Sequence, residues 1–121
     1  MSYPSDLRYT KDHIWFKENG ETFLIGVTDY AQDQLGEVLY VDLPAAGTVD
    51  AEGTIFEIES SKSATVMQIP FAVEVVAANE ELDDDPENIN NAPYDTWIAE
   101  VKADEADVAG LLSAADYEAT L

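Results

Sequence analysis

The chain has no cysteine among its 121 residues and very few cationic side chains: five Lys and Arg stand against 26 Asp and Glu, giving a formal charge of −21. Without cysteine there is no disulfide framework, no zinc-thiolate site and no protein thiol for redox chemistry. The scarcity of Lys and Arg excludes duplex nucleic acid as a direct partner, because displacing phosphate counterions needs cations. It disfavours an anionic membrane surface for the same reason. Long apolar runs are missing too, and none approaches the roughly 20 residues of a membrane span. The lead from Met1 to Lys11 lacks the basic flank and apolar run of a signal peptide. The expectation is a soluble, cytoplasmic, single domain over 1–121, whose 46% apolar residues suffice for one modest core.

What is present reads mostly as short strands. His13 to Lys17 and Thr22 to Val27 are aromatic and β-branched, and Asn19-Gly20 between them suits a hairpin turn. Thr28 stands as an N-cap before a short helix over Asp29 to Leu35, which Gly36 ends. Strand character returns over Glu37 to Leu43 until Pro44, then around Val49, and from Thr54 to Glu59, where apolar alternation is imperfect. After the small polar stretch Ser60 to Ser63, strands resume over Ala64 to Ile69, Val73 to Ala77 and Trp97 to Lys102. The acidic segment from Glu80 to Asn91, holding Pro86, reads as a loop. In the tail, Val108, Leu111 and Leu112 are helically spaced, and Ser113 with Asp116 resembles a capping box. The class is mainly β, a sandwich or flattened barrel with helices at its edges.

Few residues could carry chemistry. A Ser-His enzyme would need His13, the sole histidine, brought against Ser60, Ser61 or Ser63 with a carboxylate behind it; the plainer reading is a structural histidine at a strand start. Asp83-Asp84-Asp85-Pro86-Glu87 invites calcium but lacks the alternating acids and mid-loop glycine of an EF-hand, so a solvated charged loop is the plainer reading. Lys62, one of four lysines, sits at the tip of a strand-turn-strand unit among Ser60, Ser61, Ser63 and Ala64, none large enough to crowd it. It could be an ordinary turn lysine. A rigid hairpin offering one amine is also what a covalent carrier needs.

The run Glu59-Ser60-Ser61-Lys62, followed by Pro70 and Glu74-Val75-Val76 ending near Asn79, resembles the lipoylation hairpin of the glycine cleavage system H-protein family. The similarity extends upstream through Tyr9-Thr10-Lys11-Asp12-His13, Trp15, Ile25-Gly26-Val27-Thr28, Ala31-Gln32, Leu35-Gly36 and Val41-Asp42-Leu43-Pro44. Downstream it includes Asn90, Pro93-Tyr94, Trp97-Ile98, Leu111-Leu112 and Tyr117-Glu118. The resemblance implies a lipoyl/biotinyl-carrier sandwich of two antiparallel sheets with a C-terminal helical cap. It implies lipoate amide-linked to Lys62, and a carrier rather than an enzyme, in which the cofactor supplies the sulfur chemistry. Implied partners are a lipoate ligase or lipoyl-assembly enzymes and dihydrolipoamide dehydrogenase.

Departures from the family pattern bear on the cargo. Ile14 and Val66 stand where the family has Glu and Asp, the acids placed where a loaded aminomethyl arm tucks against the protein. Val73 and Gln68 mark a diverged hairpin. Two aliphatic residues there would suit a neutral or soft cargo, which points to a paralogue serving a heterodisulfide-reductase-like complex in sulfur oxidation. The alternatives are a conventional H protein working between glycine decarboxylase and aminomethyltransferase, and an unmodified acidic binding module. The negative charge suits steering to basic clefts on several enzymes, and self-repulsion favours a monomer.

Overall fold

A computed structural model describes residues 3–121; Met1 and Ser2, the start of the polar lead, lie outside them. The expected first hairpin forms from β2 (Ile14–Asn19) and β3 (Thr22–Val27), paired antiparallel from Asn19↔Thr22 to Ile14↔Val27. One strand precedes it: Arg8–Tyr9 makes β1 within the polar lead, with Tyr9 opposite Trp15. Two residues are too few for a period-2 pattern to register, so β1 was not legible. The helix α1 (Asp29–Leu35) keeps its expected bounds, because Thr28 Oγ1 accepts from the Ala31 N–H at 3.2 Å and the Gly36 N–H closes on Gln32 O at 3.0 Å.

The remaining strands are β4 (Val38–Asp42), β5 (Gly47–Val49), β6 (Thr54–Ser60), β7 (Ala64–Gln68), β8 (Val73–Ala78) and β9 (Ala99–Lys102). They assemble as a six-stranded sheet, β1-β2-β3-β9-β8-β5, and a three-stranded one, β4-β6-β7. Every pairing is antiparallel. The two sheets stay separate, an unclosed sandwich of two antiparallel sheets, as the mainly β reading expects. Between them lies one apolar core that includes Ile14, Phe16, Ile25, Val41, Ile58, Ile69 and Val101. The imperfect alternation in β6 has a structural cause: its register against β7 shifts between Thr54 and Phe56, so Ile55 and Phe56 are both buried. A matching shift in β4 between Val38 and Tyr40 leaves Leu39 and Tyr40 both exposed.

The segment read as a loop over 80–91 is more ordered than expected. It holds a 3-10 turn, Glu80–Asp83, and a one-turn helix α2, Asn88–Asn91. Leu82 and Ile89 insert fully into the core and tether it. Two apolar residues seven apart among acids give no helical period to read, and the anchoring is tertiary. Two short helices, α3 (Glu105–Ala109) and α4 (Ala114–Ala119), form the expected C-terminal cap. Ser113 Oγ accepts from the Asp116 N–H at 3.2 Å, as the capping pattern implied. Tyr117 of α4 joins Leu7, Tyr9 and Trp15 in a second buried cluster. No helix among the described residues is long and apolar enough to cross a membrane.

Candidate functional site

The hairpin of β6 and β7 turns through Ser61, Lys62 and Ser63. Its small residues are the turn's framework as well as its clearance. The Ser60 N–H donates to Ser63 O at 2.8 Å, the Ser60 hydroxyl donates to the same carbonyl at 3.0 Å, and the Ser63 and Lys62 N–H groups approach Ser60 Oγ at 3.3 and 3.4 Å. A further bond, Ser61 N–H to Glu37 O at 2.9 Å, ties the tip to the connection between α1 and β4. Lys62 itself is exposed. The only ion pair among the described residues is Lys102–Glu74 at 3.9 Å, so no carboxylate holds the Lys62 amine.

Beside this tip lies an open groove of about 420 Å³, whose walls include Asp12, His13, Tyr30, Ser63, Val66 and Met67. His13 has left-handed backbone, φ 72°, immediately before β2, and its ring packs tilted at 44° against Tyr30 with centroids 4.8 Å apart. Its Nδ1 lies 2.6 Å from the Tyr117 hydroxyl, which lies 2.8 Å from Thr28 Oγ1. One direction of donation satisfies all three: Thr28 O–H to Tyr117, Tyr117 O–H to His13 Nδ1, with Thr28 Oγ1 accepting from Ala31. Burial pushes the His13 pKa down, partly opposed by the Asp12 charge, which suits a neutral imidazole accepting at Nδ1. Burial pushes the Tyr117 hydroxyl up to about 12, so it remains a donor, with the Thr28 bond acting the other way.

The residues singled out from sequence divide accordingly. Lys62, Ser63, His13 and Val66 gather at the tip and groove. No hydrogen bond among the described residues joins His13 to Ser60, Ser61 or Ser63; its partner is Tyr117, so a Ser-His nucleophile is not assembled. The Asp83-to-Glu87 acids are exposed except for the half-buried Pro86 between them. Among the described residues, no three His, Asp or Glu side chains are placed to hold a metal ion.

Ile14 corrects the cargo reading. It is fully buried in the main core, opposite Val27, and does not line the groove, whereas Val66 does and is 54% exposed. The two substitutions therefore do not form one aliphatic surface for a soft cargo. The His13–Tyr117–Thr28 chain was not deducible from residue order. Tyr117 lies 104 positions from His13, and only the Thr28 cap was a readable signal.

A two-sheet antiparallel sandwich of this kind has the lipoyl-domain fold, the class of small carrier domains. Residues 7–121 match the family described as Glycine cleavage H-protein, and the chain belongs to that family. It is 48% identical over 124 residues to the glycine cleavage system H protein of Listeria monocytogenes serotype 4b (strain CLIP80459), covering 100% of this chain and 99% of the relative. Against the H protein of Clostridioides difficile (strain 630) the figures are the same. A crystal structure of the H protein from Mycobacterium marinum superposes with a TM-score of 0.86 at 32% identity, covering 98% of each chain. Glycine cleavage H proteins carry lipoate covalently on a lysine and are carrier components rather than catalysts. The chain is a lipoyl carrier.

Proposed function

We propose that Lys62 is the lipoylated residue and that the protein is the conventional carrier of a cytoplasmic glycine cleavage system. It would pass a one-carbon amine from glycine decarboxylase to aminomethyltransferase, with reoxidation by dihydrolipoamide dehydrogenase. The observation that carries this reading is the exposed Lys62 amine at the apex of a three-residue tip bordering the groove. Acylation joins the deprotonated Lys62 Nζ to the carbonyl carbon of an activated lipoyl group, such as the acyl-adenylate that a ligase forms with ATP; the bond to AMP breaks, AMP leaves, and the lysine loses its charge with its protons. The surroundings fit an apolar acyl arm: Ser61 and Ser63 leave it room, and Ala31, Leu35, Val66 and Met67 supply apolar groove wall. Asp12 and His13 supply the polar end of the same wall. Lipoate, when bound, brings the dithiol chemistry that a cysteine-free chain lacks. Ser60 holds the tip, and the groove offers the arm a place out of bulk water.

Two observations favour the conventional partners over a heterodisulfide-reductase-like complex. Ile14 belongs to the core rather than the groove, and relatives at 48% identity over the whole chain are glycine cleavage system H proteins. Expression in a host with lipoate ligase should give an intact mass one lipoyl increment above the sequence mass, mapped by peptide sequencing to Lys62 and lost in Lys62→Ala. The loaded protein should support glycine–bicarbonate exchange with decarboxylase. Modification at Lys11, Lys17 or Lys102 instead, or none, would refute the assignment; full loading without exchange would refute the conventional pathway.

A further inference from the structure

We propose that Asn90 is the positioning residue for the Lys62 amine, an inference that rests on the reading of Lys62 as the modified lysine. Asn90 sits in α2, and its neighbour Ile89 is fully buried, so the helix has a fixed seat on the core. The Asn90 side chain then reaches to the connection between α1 and β4 and uses both ends of its amide. Oδ1 accepts from the Val38 N–H at 2.8 Å, and Nδ2 donates to Gly36 O at 2.8 Å and Gln32 Oε1 at 3.0 Å. The bonds to Val38 and Gly36 clamp the residues on either side of Glu37, and the third ties Asn90 to Gln32 of α1. The Glu37 carbonyl is the acceptor for Ser61 N–H in the lysine tip. Asn90 is thus one hydrogen-bonded segment away from the residue preceding Lys62, although 28 positions separate Asn90 from Lys62 in the chain.

The clamped segment also shapes the path of the lysine stem. Gly36 has φ 76°, and a Cβ built there would lie 3.3 Å from both Lys62 Cε and Ser61 Oγ. The lysine stem and the tip serine therefore pass close over the backbone at the end of α1, where a Cβ would make them give by a few tenths of an ångström and where the positive φ favours glycine. Asn90 holds the Gly36 carbonyl, so it fixes the surface on which the lysine side chain lies. A tip held in this way offers a ligase one amine in one position, and the ordering cost of recognition is reduced before the encounter. An Asn serves where Asp would not, because one oxygen acceptor and one N–H donor are required at the same time.

The test uses the full-length unmodified protein, lipoate ligase, ATP and lipoate, with initial rates read by intact mass and exchange protection read at individual amides. Asn90→Ala and the isosteric Asn90→Asp should each raise KM for the carrier about fivefold with kcat little changed, as expected for loss of preorganisation. Protection of the Ser61 amide should fall while that of Val41 and Ile58, in the same sheet, is kept. Thr22→Ala, which removes a bond to Glu100 and one to Asn19 O, is the control for stability alone and should leave KM unchanged. The positioning role fails if Asn90→Asp, folded and of the same size, shows the wild-type KM and Ser61 protection. It also fails if Thr22→Ala raises KM equally. Should the wild-type protein not take lipoate at Lys62, the reading of Lys62 fails, independently of Asn90.

Discussion

Around Lys62 the chain uses serine, alanine and glycine, leaves side chains exposed and holds the backbone through hydrogen bonds made by a single serine and one accepted by a neighbouring carbonyl. Around Trp15 it does the reverse. Leu7, Tyr9, Trp15 and Tyr117 are all at most 4% exposed, the Tyr9 and Tyr117 rings stack at 4.9 Å, and the Trp15 indole N–H donates to Pro93 O at 3.0 Å. The two regions meet at His13, which lines the groove beside the lysine tip and is hydrogen-bonded to Tyr117 of the aromatic cluster. The contrast separates two regions. On the proposed assignment of Lys62 the tip must be accessible and therefore gains little from burial, whereas the aromatic clasp packs the C-terminal cap and, through His13, joins one wall of the groove.

Breaking the clasp should have the largest effect on stability. The Trp15 indole packs against Gly26, its cross-strand partner, so closely that a Cβ there would lie 2.5 Å from Cζ2. Trp15→Ala should cost about 3–5 kcal/mol, the usual range for a fully buried large aromatic, measured by denaturant unfolding. Gly26→Ala alone should also be strongly destabilising. In the Trp15→Ala background the same change should cost little, because the atoms it would strike are gone. A double-mutant cycle without that coupling would show that the indole does not rest on Gly26. Neither change should abolish lipoylation of the folded fraction, whereas Lys62→Ala should abolish lipoylation and leave stability nearly intact.

Tyr117→Phe is a finer cut at the junction of the two regions. It keeps the ring in the stack and removes only the hydroxyl between His13 Nδ1 and Thr28 Oγ1. Leaving those groups short of a partner should cost about 1–3 kcal/mol, less than loss of the indole. Thr28 would still cap α1 through Ala31 N–H, so helix content by circular dichroism should be preserved. A cost near zero would mean that water replaces the hydroxyl and that the clasp does not reach the groove.

These same residues show how far the sequence can be read. The bounds of α1 followed from Thr28 and Gly36 because a cap is a local contract between a side chain and backbone groups three residues away. The hairpin tip at Lys62 was legible because small residues between two β-rich runs leave few alternatives. Ile14 was misplaced for an opposite reason. Which face of β2 meets the main core depends on its pairing with β3, where Ile14 lies opposite Val27, and that pairing is tertiary. α2 was invisible because its order comes from Ile89 in the core and from Asn90 bonded to residues more than 50 positions away. Local chemistry was readable, and tertiary accounting was not.

The smallest effect should come from pH, and its sign follows from His13. The folded-state pKa is lowered by burial below the ordinary value of 6.5, so the unfolded chain binds the imidazole proton more readily. Stability from the neutral ring is therefore fully present above pH 6.5 and is lost as pH falls from there through the folded-state value. His13→Asn removes the titration while tolerating the positive φ, which Asn adopts more readily than most residues. Denaturant midpoints between pH 7.5 and 5.5 should fall in the wild type and fall less in His13→Asn, with the carboxylates of this very acidic chain a common background to both. If the two proteins follow the same curve, His13 is solvated in the native state, and the aromatic clasp ends at Tyr117 rather than extending to the wall beside Lys62.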